Sequence, residues 1–172
     1  MSENVVLRKT RTIITSFTRP ANTTAYAAGD VVCNSTSAPV ILTFSRSSNQ
    51  TNGNGTILHA VCVDSANVAT KPDLELWLFD TTVGMDNDNA AFTPTDAELL
   101  TLVGVIAFPT ASFKVGDAAS GADGNSVCEA TPTLPFKCAG TTENALYGIV
   151  VVRNAYVPVS GETFSFRLKI LD

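Results

Sequence analysis

The chain has 172 residues, of which 45% are hydrophobic and 16% charged, and its net charge at pH 7 is −5. The length suits one domain with a sizeable core, and the acidic balance argues against nucleic acid as a ligand, because phosphate binding needs clustered Lys and Arg. No stretch approaches the roughly 20 apolar residues that span a bilayer, so we expect neither a membrane nor a nucleic-acid partner.

The first predicted element is a long strand that can act as an arm. Residues 5–17 are rich in β-branched side chains, but Lys9 and Arg11 interrupt the inner face. Such an interruption is typical of an edge or arm that packs across something other than its own core. We therefore divide the chain into an N-terminal arm at residues 1–20, which copies could exchange, and a β-sandwich domain at residues 21–172.

Three further strands are predicted in the first half of the chain. They cover residues 31–33, 38–45 and 56–64, and the last of them is apolar on both faces. Residues 45–56 between them are polar and rich in Gly and Asn, which favours an exposed loop.

Residues 72–96 join the clearest strand signal to an acidic loop. Apolar side chains occupy both faces of the strand at residues 74–79, apart from Glu75. This pattern predicts a strand that is buried on most of its surface, with Trp77 in the core. The loop that follows contains Asp86 and Asp88, and we expect it to form a solvated or partner-facing turn.

A short helix and a buried strand come next. Thr95 and Glu98 have the spacing of a capping box, which predicts a helix start. Residues 100–108 are apolar, and Gly104 in their interior indicates a β-bulge or a close backbone approach.

The last third of the chain combines an irregular segment with two strands. Residues 114–137 contain several Gly and Pro and show little periodicity, which predicts a long irregular excursion. Residues 144–152 and 162–171 read as strands, and the last one alternates cleanly, so that one face is wet. The predicted fold is all-β: a single-domain β-sandwich or jelly roll of about eight strands with long irregular loops.

The cysteines and the single histidine fit structural roles best. The N-terminus lacks a signal-peptide pattern, so Cys33, Cys62, Cys128 and Cys138 are expected to be thiols in a reducing compartment. A disulfide between Cys128 and Cys138 is the alternative. No cysteine pair has C-x-x-C spacing, and His59 stands in an apolar strand, so we expect no metal site.

The alternating Asp86 and Asp88 resemble the start of a calcium loop. Phe92 then occupies the sixth place after Asp86, and no glutamate closes the twelve-residue span. We therefore expect no calcium site and no cofactor.

Charge is distributed unevenly along the chain, with cations near the start and carboxylates in the middle. The arm of one copy could meet the acidic loop of another, or both could be solvated surfaces. The candidate contacts with another subunit or another partner are Arg8, Lys9, Arg11, Arg19, Asp86 and Asp88.

The sequence contains no recognisable catalytic set. There is no P-loop and no G-x-G-x-x-G, and a Ser-His-Asp arrangement would have to use His59, which carries no G-x-S-x-G partner. We therefore expect a protein that is not an enzyme. Two other hypotheses stay open: a carbohydrate-binding β-sandwich, and a hydrolase that depends on His59.

Two stretches of the sequence resemble a known group of proteins. They are residues 17–32, FTRPANTTAYAAGDVV, and residues 66–80, ANVATKPDLELWLFD, continued by residues 88–106, DNAAFTPTDAELLTLVGVI. These stretches resemble small structural proteins encoded near the capsid genes of tailed bacteriophages, including cyanophages, some of which are capsid cement or decoration proteins. The resemblance covers roughly the first two-thirds of the chain, and its motifs carry no chemical roles.

The resemblance implies a location and a set of partners. A cement protein binds the outside of the icosahedral head, often as a trimer, and stabilises it against internal pressure. For this chain it implies a virion protein on the capsid surface, assembled in the host bacterial cytoplasm, with the major capsid protein and its own copies as partners. A tail or fibre component is the alternative within the virion.

Overall fold

The computed structural model describes residues 9–117, 119, 123–139 and 144–172. Within them the chain forms ten β-strands, one α-helix and one short 3-10 helix at Thr110–Ser112. In chain order the elements are β1 (Thr10–Thr18), β2 (Leu42–Phe44), β3 (Asn54–Asp64), β4 (Leu74–Phe79), α1 (Asp96–Leu99), β5 (Leu102–Phe108), β6 (Lys114–Val115), β7 (Ser126–Ala130), β8 (Leu134–Lys137), β9 (Leu146–Val152) and β10 (Thr163–Leu171).

These strands form two antiparallel sheets. In sheet I the order is β1-β10-β3-β7-β6, and β8 pairs with the first part of β3. In sheet II the order is β2-β9-β4-β5. The predicted all-β fold is confirmed, with ten strands in the described residues instead of about eight.

The main core lies between the two sheets. Alternate side chains of β10, namely Phe164, Phe166, Leu168 and Ile170, are fully buried, as the period-two pattern of this strand predicts. Side chains from both sheets belong to one hydrophobic cluster, and the rings of Phe108 in sheet II and Phe166 in sheet I are 5.8 Å apart. The two sheets therefore pack face to face as a sandwich.

A β-bulge in β3 sets which of its side chains face the core. Lys169 pairs with His59, but the next residue, Ile170, pairs with Ile57, so Leu58 is an extra residue on β3. Because an extra residue reverses the alternation beyond it, Ile57 faces the core while His59 lies on the opposite side of the sheet.

A second bulge lies where the sequence predicts one. β5 carries one extra residue, Val103, between the partners of Leu78 and Phe79. Beside it, a Cβ atom added to Gly104 would lie 2.8 Å from Cδ1 of Leu134. The prediction for Gly104 is confirmed, since a bulge and a close approach occur together.

A second hydrophobic cluster covers the outer face of sheet II. Phe79, Ile149 and Val151 point away from the main core and are buried with Val31 and Cys33. The partly buried side chains that pack against this cluster come from the flanking loops and strands: Ile41, Trp77, Val83, Met85, Phe92, Leu102 and Tyr147. The acidic loop after β4 thus folds back over its own sheet.

The prediction for residues 114–137 is wrong. This segment contains three strands of sheet I, β6, β7 and β8, although residues 118 and 120–122 within it lie outside the described residues. The strands have at most five residues each, which is too short for periodicity to stand out between Gly and Pro.

Two predictions in the first half of the chain also need correction. Residues 31–33 do not form a strand; Val31 alone among them makes an isolated bridge, to Val151. In the polar segment at 45–56, Ser47 and Ser48 are buried. Ser47 Oγ donates to the carbonyl of Phe44 at 2.7 Å. This local hydrogen bond satisfies the hydroxyl group, so that it can be buried.

The predicted helix start is confirmed. Thr95 caps α1, and the reciprocal bonds with Glu98 complete a capping box. No helix among the described residues is long and apolar enough to cross a membrane.

The four cysteines are free, buried thiols. Cys128 does not pair with Cys138; it lies opposite Cys62 in the register of β3 and β7. Burial raises the pKa of the Cys62 thiol, which keeps it protonated and unreactive.

Candidate interaction surface

Arg19 and Asp88, two of the predicted contact residues, form a buried ion pair. Their exposed fractions are 2% and 5%, and Arg19 Nη2 lies 3.4 Å from Asp88 Oδ2. Asp88 Oδ1 accepts hydrogen bonds from Tyr26 Oη at 2.6 Å and from the Cys33 amide at 3.0 Å. The prediction of a solvated or partner-facing turn is wrong for Asp88, and neither side chain offers surface to a partner.

The physical reason is that a buried charge must be paired and hydrogen-bonded. Arg19 also donates to Tyr26 Oη and to the carbonyl of Val159, the latter at 3.3 Å, and its guanidinium lies 4.7 Å from the centre of the Tyr26 ring. Burial, together with the bond to Asp88, raises the pKa of Tyr26. The end of the arm and the acidic loop therefore meet within one chain.

Arg11 is also held within the chain. Its guanidinium forms an ion pair with Asp172 at 3.1 Å and donates to the carbonyls of Arg46 and Ser48 at 2.6 and 3.2 Å. These bonds tie the edge strand β1 to the C-terminus and to the loop after β2.

The remaining predicted contacts differ in their surroundings. Asp86 is partly buried, and its carboxylate accepts from the Thr93 amide at 2.8 Å and from the Thr93 hydroxyl at 3.1 Å. Lys9 is exposed at the edge of sheet I. Arg8 lies outside the described residues.

The structure brings together a different set of residues on the outer side of sheet I. β1, β10, β3, β7, β6 and β8 align their outward side chains there, opposite the main core. We call this the open face, and its principal residues are Thr12, Ile14, Ser16, Ser165, Arg167, Lys169, His59, Val61, Val63, Val127, Glu129, Lys114 and Lys137.

The open face is accessible to solvent although it carries apolar groups. Ile14 is 66% exposed and Val63 is 40% exposed. Strand pairing places Ile14, Arg167, Val61 and Glu129 in one row across four strands. The open face thus mixes apolar and charged groups, a composition that is compatible with a non-obligate protein interface.

The open face is basic on an otherwise acidic chain. Lys114, Lys137, Arg167 and Lys169 are exposed on its strands, against the single carboxylate of Glu129. The whole chain has a net charge of −5, so this face has the opposite sign of charge from the chain as a whole. A partner with an acidic surface would be favoured here.

Sequence reasoning missed this surface, although one signal for it was present. The alternation in β10 predicts a wet face, and Arg167 and Lys169 lie on it. The distant residues could not be added from the sequence, because their alignment depends on strand order and on the bulge at Leu58.

The arrangement of side chains gives little support to a catalytic site or a metal site on the open face. His59 lies opposite Lys169 in the strand register, and a neighbouring ammonium group cannot orient an imidazole as a general base. The described residues contain no group of three or more His, Cys, Asp or Glu side chains that could hold a metal ion.

Trp77 packs within the cluster over sheet II and is not a free aromatic platform. Its indole Nε1 donates to Glu75 at 2.9 Å, and the Phe92 ring meets it edge-on at 5.1 Å. The Arg153 guanidinium lies 5.7 Å from the ring centre. The aromatic group that a sugar would stack on is thus already engaged.

Fold and surface together define an all-β, two-sheet antiparallel protein with one covered and one open outer face. No protein-family model matches the chain, and no match to a curated protein was found.

Proposed function

We propose that this chain is a non-enzymatic structural protein of a bacteriophage virion, a capsid decoration protein that binds the outside of the head and stabilises it. The proposal joins the resemblance of residues 17–32, 66–80 and 88–106 to the all-β fold. It places the protein on the capsid surface, with the major capsid protein as its partner.

The observation that carries the proposal is the open face of sheet I. A face that exposes four cations together with Ile14 and Val63 can dock on a protein surface of opposite charge. The expected counterpart is an acidic patch on the shell. Complementary charges orient the docking, and the apolar groups supply the area that leaves water.

The bonds that polar side chains form within the chain also favour a structural role. Arg11, Arg19 and Asp88 all form bonds within the chain, which makes a stiff unit instead of a reactive cleft. A rigid body that docks with one face suits a protein that reinforces a shell.

The first test measures binding to capsid heads. Heads that lack this protein are purified from a phage whose genome encodes the chain, and co-sedimentation is followed at increasing salt. We expect the wild type to bind and the double variant Arg167→Glu, Lys169→Glu to bind at least ~10-fold more weakly, about 1.4 kcal/mol. Arg46→Glu is the matched control, since Arg46 is an exposed cation outside the sheets.

The possible outcomes test the capsid role and the docking surface separately. If the chain is missing from virions by mass spectrometry and does not sediment with heads, the capsid role is rejected. Recovery with tails instead of heads would favour a tail or fibre component. If the double variant binds heads as tightly as the wild type, the open face is not the docking surface.

We further propose that the protein acts as a homotrimer in which residues 1–20 make subunit or capsid contacts. β1 pairs with β10 of the same chain, and an exchange of the arm between copies stays a prediction. Light scattering of the free protein over a range of concentrations should give the mass of three chains. A monomer at every concentration, and in the virion, would reject the trimer.

A further inference from the structure

Two carboxyl groups meet in the interior, away from the open face. Asp64 at the end of β3 and Glu162 just before β10 are 0% and 2% exposed. The strand register places Asp64 opposite Phe164, two residues after Glu162, and each carboxyl group shifts the pKa of the other. Neither takes part in the proposed docking surface.

The hydrogen bonds that these two carboxyl groups accept leave one of their oxygen atoms without a donor. Asp64 Oδ1 accepts from the Ala66 amide at 2.8 Å and Oδ2 from the Ser126 hydroxyl at 3.3 Å. Glu162 Oε1 accepts from the Tyr156 hydroxyl. Within the described part of the chain, Glu162 Oε2 has no N–H or hydroxyl donor. Among the described residues, neither carboxyl group forms an ion pair. If both were ionised they would be neighbouring like charges, neither of which can donate to the other, so one bound proton relieves the repulsion.

The surrounding charged groups do not supply a direct counter-charge. Lys71 donates to Asn67 Oδ1 at 2.7 Å, and Arg19 is engaged with Asp88. Both cations act on the pair only through space. The nearby Cys62 thiol is buried, and burial raises its pKa, so it stays neutral and adds no charge.

We propose that Asp64 and Glu162 share one proton, and that losing this proton loosens the corner of the sandwich where β3 ends and β10 begins. Two charges fixed in an interior of low dielectric constant repel each other and have lost their hydration. The pair is therefore a pH-sensitive device built into the fold, and it does not depend on the proposed docking function.

Burial and the neighbouring charges shift the pKa values of both carboxyl groups in the direction that the proposal requires. Burial, followed by the Asp64 charge, raises the pKa of Glu162 from 4.5 to about 8, and burial raises the pKa of Asp64. The folded chain thus binds a proton that the unfolded chain releases above pH 4.5. The stability from this proton is complete below pH 4.5 and is lost as the pH rises towards 8. One extra proton in the folded state changes the folding equilibrium constant about tenfold per pH unit.

Backbone contacts show which part of the fold would loosen. The Arg19 amide donates to the carbonyl of Glu162 at 2.8 Å, and the Ser65 amide donates to the carbonyl of Thr163 at 3.0 Å. The Thr163 amide donates to Ser65 Oγ at 2.8 Å. These amides join three segments at the carboxyl pair, so their protection from hydrogen exchange reports on it.

The experiment measures urea unfolding of the full chain from pH 5 to pH 9. We expect the folding constant of the wild type to fall several-fold per pH unit between pH 5 and 8. Glu162→Gln, which keeps the shape and removes the titration, should abolish most of this slope. The control is Glu129→Gln on the open face, which should keep it. An unchanged slope in Glu162→Gln would overturn the proposal.

A second measurement needs no variant and covers the case in which Glu162→Gln does not fold. In protein labelled with ¹³C at the Asp and Glu carboxyl groups, NMR titration should find at least one carboxyl group with a midpoint above pH 6. Titration of every carboxyl group near its ordinary pKa would overturn the shared proton. So would a gain in wild-type stability at pH 8 on adding Ca²⁺ or Mg²⁺ that is absent in Glu162→Gln, because the pair would then be a cation site.

Discussion

The outer faces of the two sheets differ in their exposure to solvent. Sheet II hides its outer side beneath the loops that flank β4, with Phe79 and Val151 fully buried there. Sheet I leaves its outer side open, with Ile14 at 66% exposure and Arg167 and Lys169 at the surface. The chain thus covers one outer face with its own loops and leaves the other exposed.

The strand sequences carry this difference. In β9, Ile149, Val150, Val151 and Val152 are consecutive and all buried, since one parity faces the main core and the other faces the covering loops. In β10, apolar and polar residues alternate, and only one parity is buried. A continuous apolar strand therefore indicates a face covered by its own chain, and an alternating strand indicates a face left to solvent or to a partner.

The largest effect on stability is expected at Asp88, which anchors the loop that covers the outer face of sheet II. Asp88→Ala removes the carboxylate that pairs with Arg19 and accepts from Tyr26, and it leaves a buried cation unpaired. We expect a loss of about 3–5 kcal/mol in the free energy of unfolding, measured by urea denaturation. Asp86→Ala is the matched control, because this partly exposed carboxylate accepts hydrogen bonds from Thr93 in the same loop.

A loss below about 1 kcal/mol for Asp88→Ala would mean that the ion pair does not hold the cover. In that case the loops over sheet II would be held by their apolar contacts alone.

The second effect concerns the apolar part of the same cover. Phe92 is partly buried and packs edge-on against Trp77. Phe92→Ala should lower the free energy of unfolding by about 2 kcal/mol, less than the 3–5 kcal/mol of a fully buried phenylalanine. Thermal unfolding followed by circular dichroism would measure it, with Leu100→Ala at an 89% exposed leucine as the control. Equal midpoints for the two variants would contradict the packing of Phe92.

A smaller effect is expected at the end of the covering loop. Thr95 caps α1, and Glu98 Oε1 also accepts from the Gly84 amide at 2.7 Å. Thr95→Ala should cost about 1 kcal/mol, and Thr95→Ser should retain most of the wild-type stability because it keeps the hydroxyl. If both variants lose the same amount in urea denaturation, the threonine methyl group and not the cap is responsible.

The sequence predicted local features well and long-range ones poorly, for physical reasons. The alternation in β10, the capping box at Thr95 and the bulge at Gly104 depend on neighbouring residues. The pairing of Arg19 with Asp88 joins positions 69 residues apart, and the charges of these residues are equally compatible with exposed positions. The open face depends on the register of six strands, three of which are too short to show periodicity.

The smallest effect is expected on the open face itself. Ile14 is 66% exposed, so Ile14→Ala in the isolated chain should change the free energy of unfolding by no more than about 0.5 kcal/mol. The measurement is urea denaturation at two protein concentrations at least tenfold apart. A loss above about 1 kcal/mol that appears only at the higher concentration would mean that a second copy already covers this face in solution. The contrast between the two sheets would then belong to the isolated chain and not to the assembled protein, because both outer faces would be buried, one by the chain's own loops and the other by a neighbour.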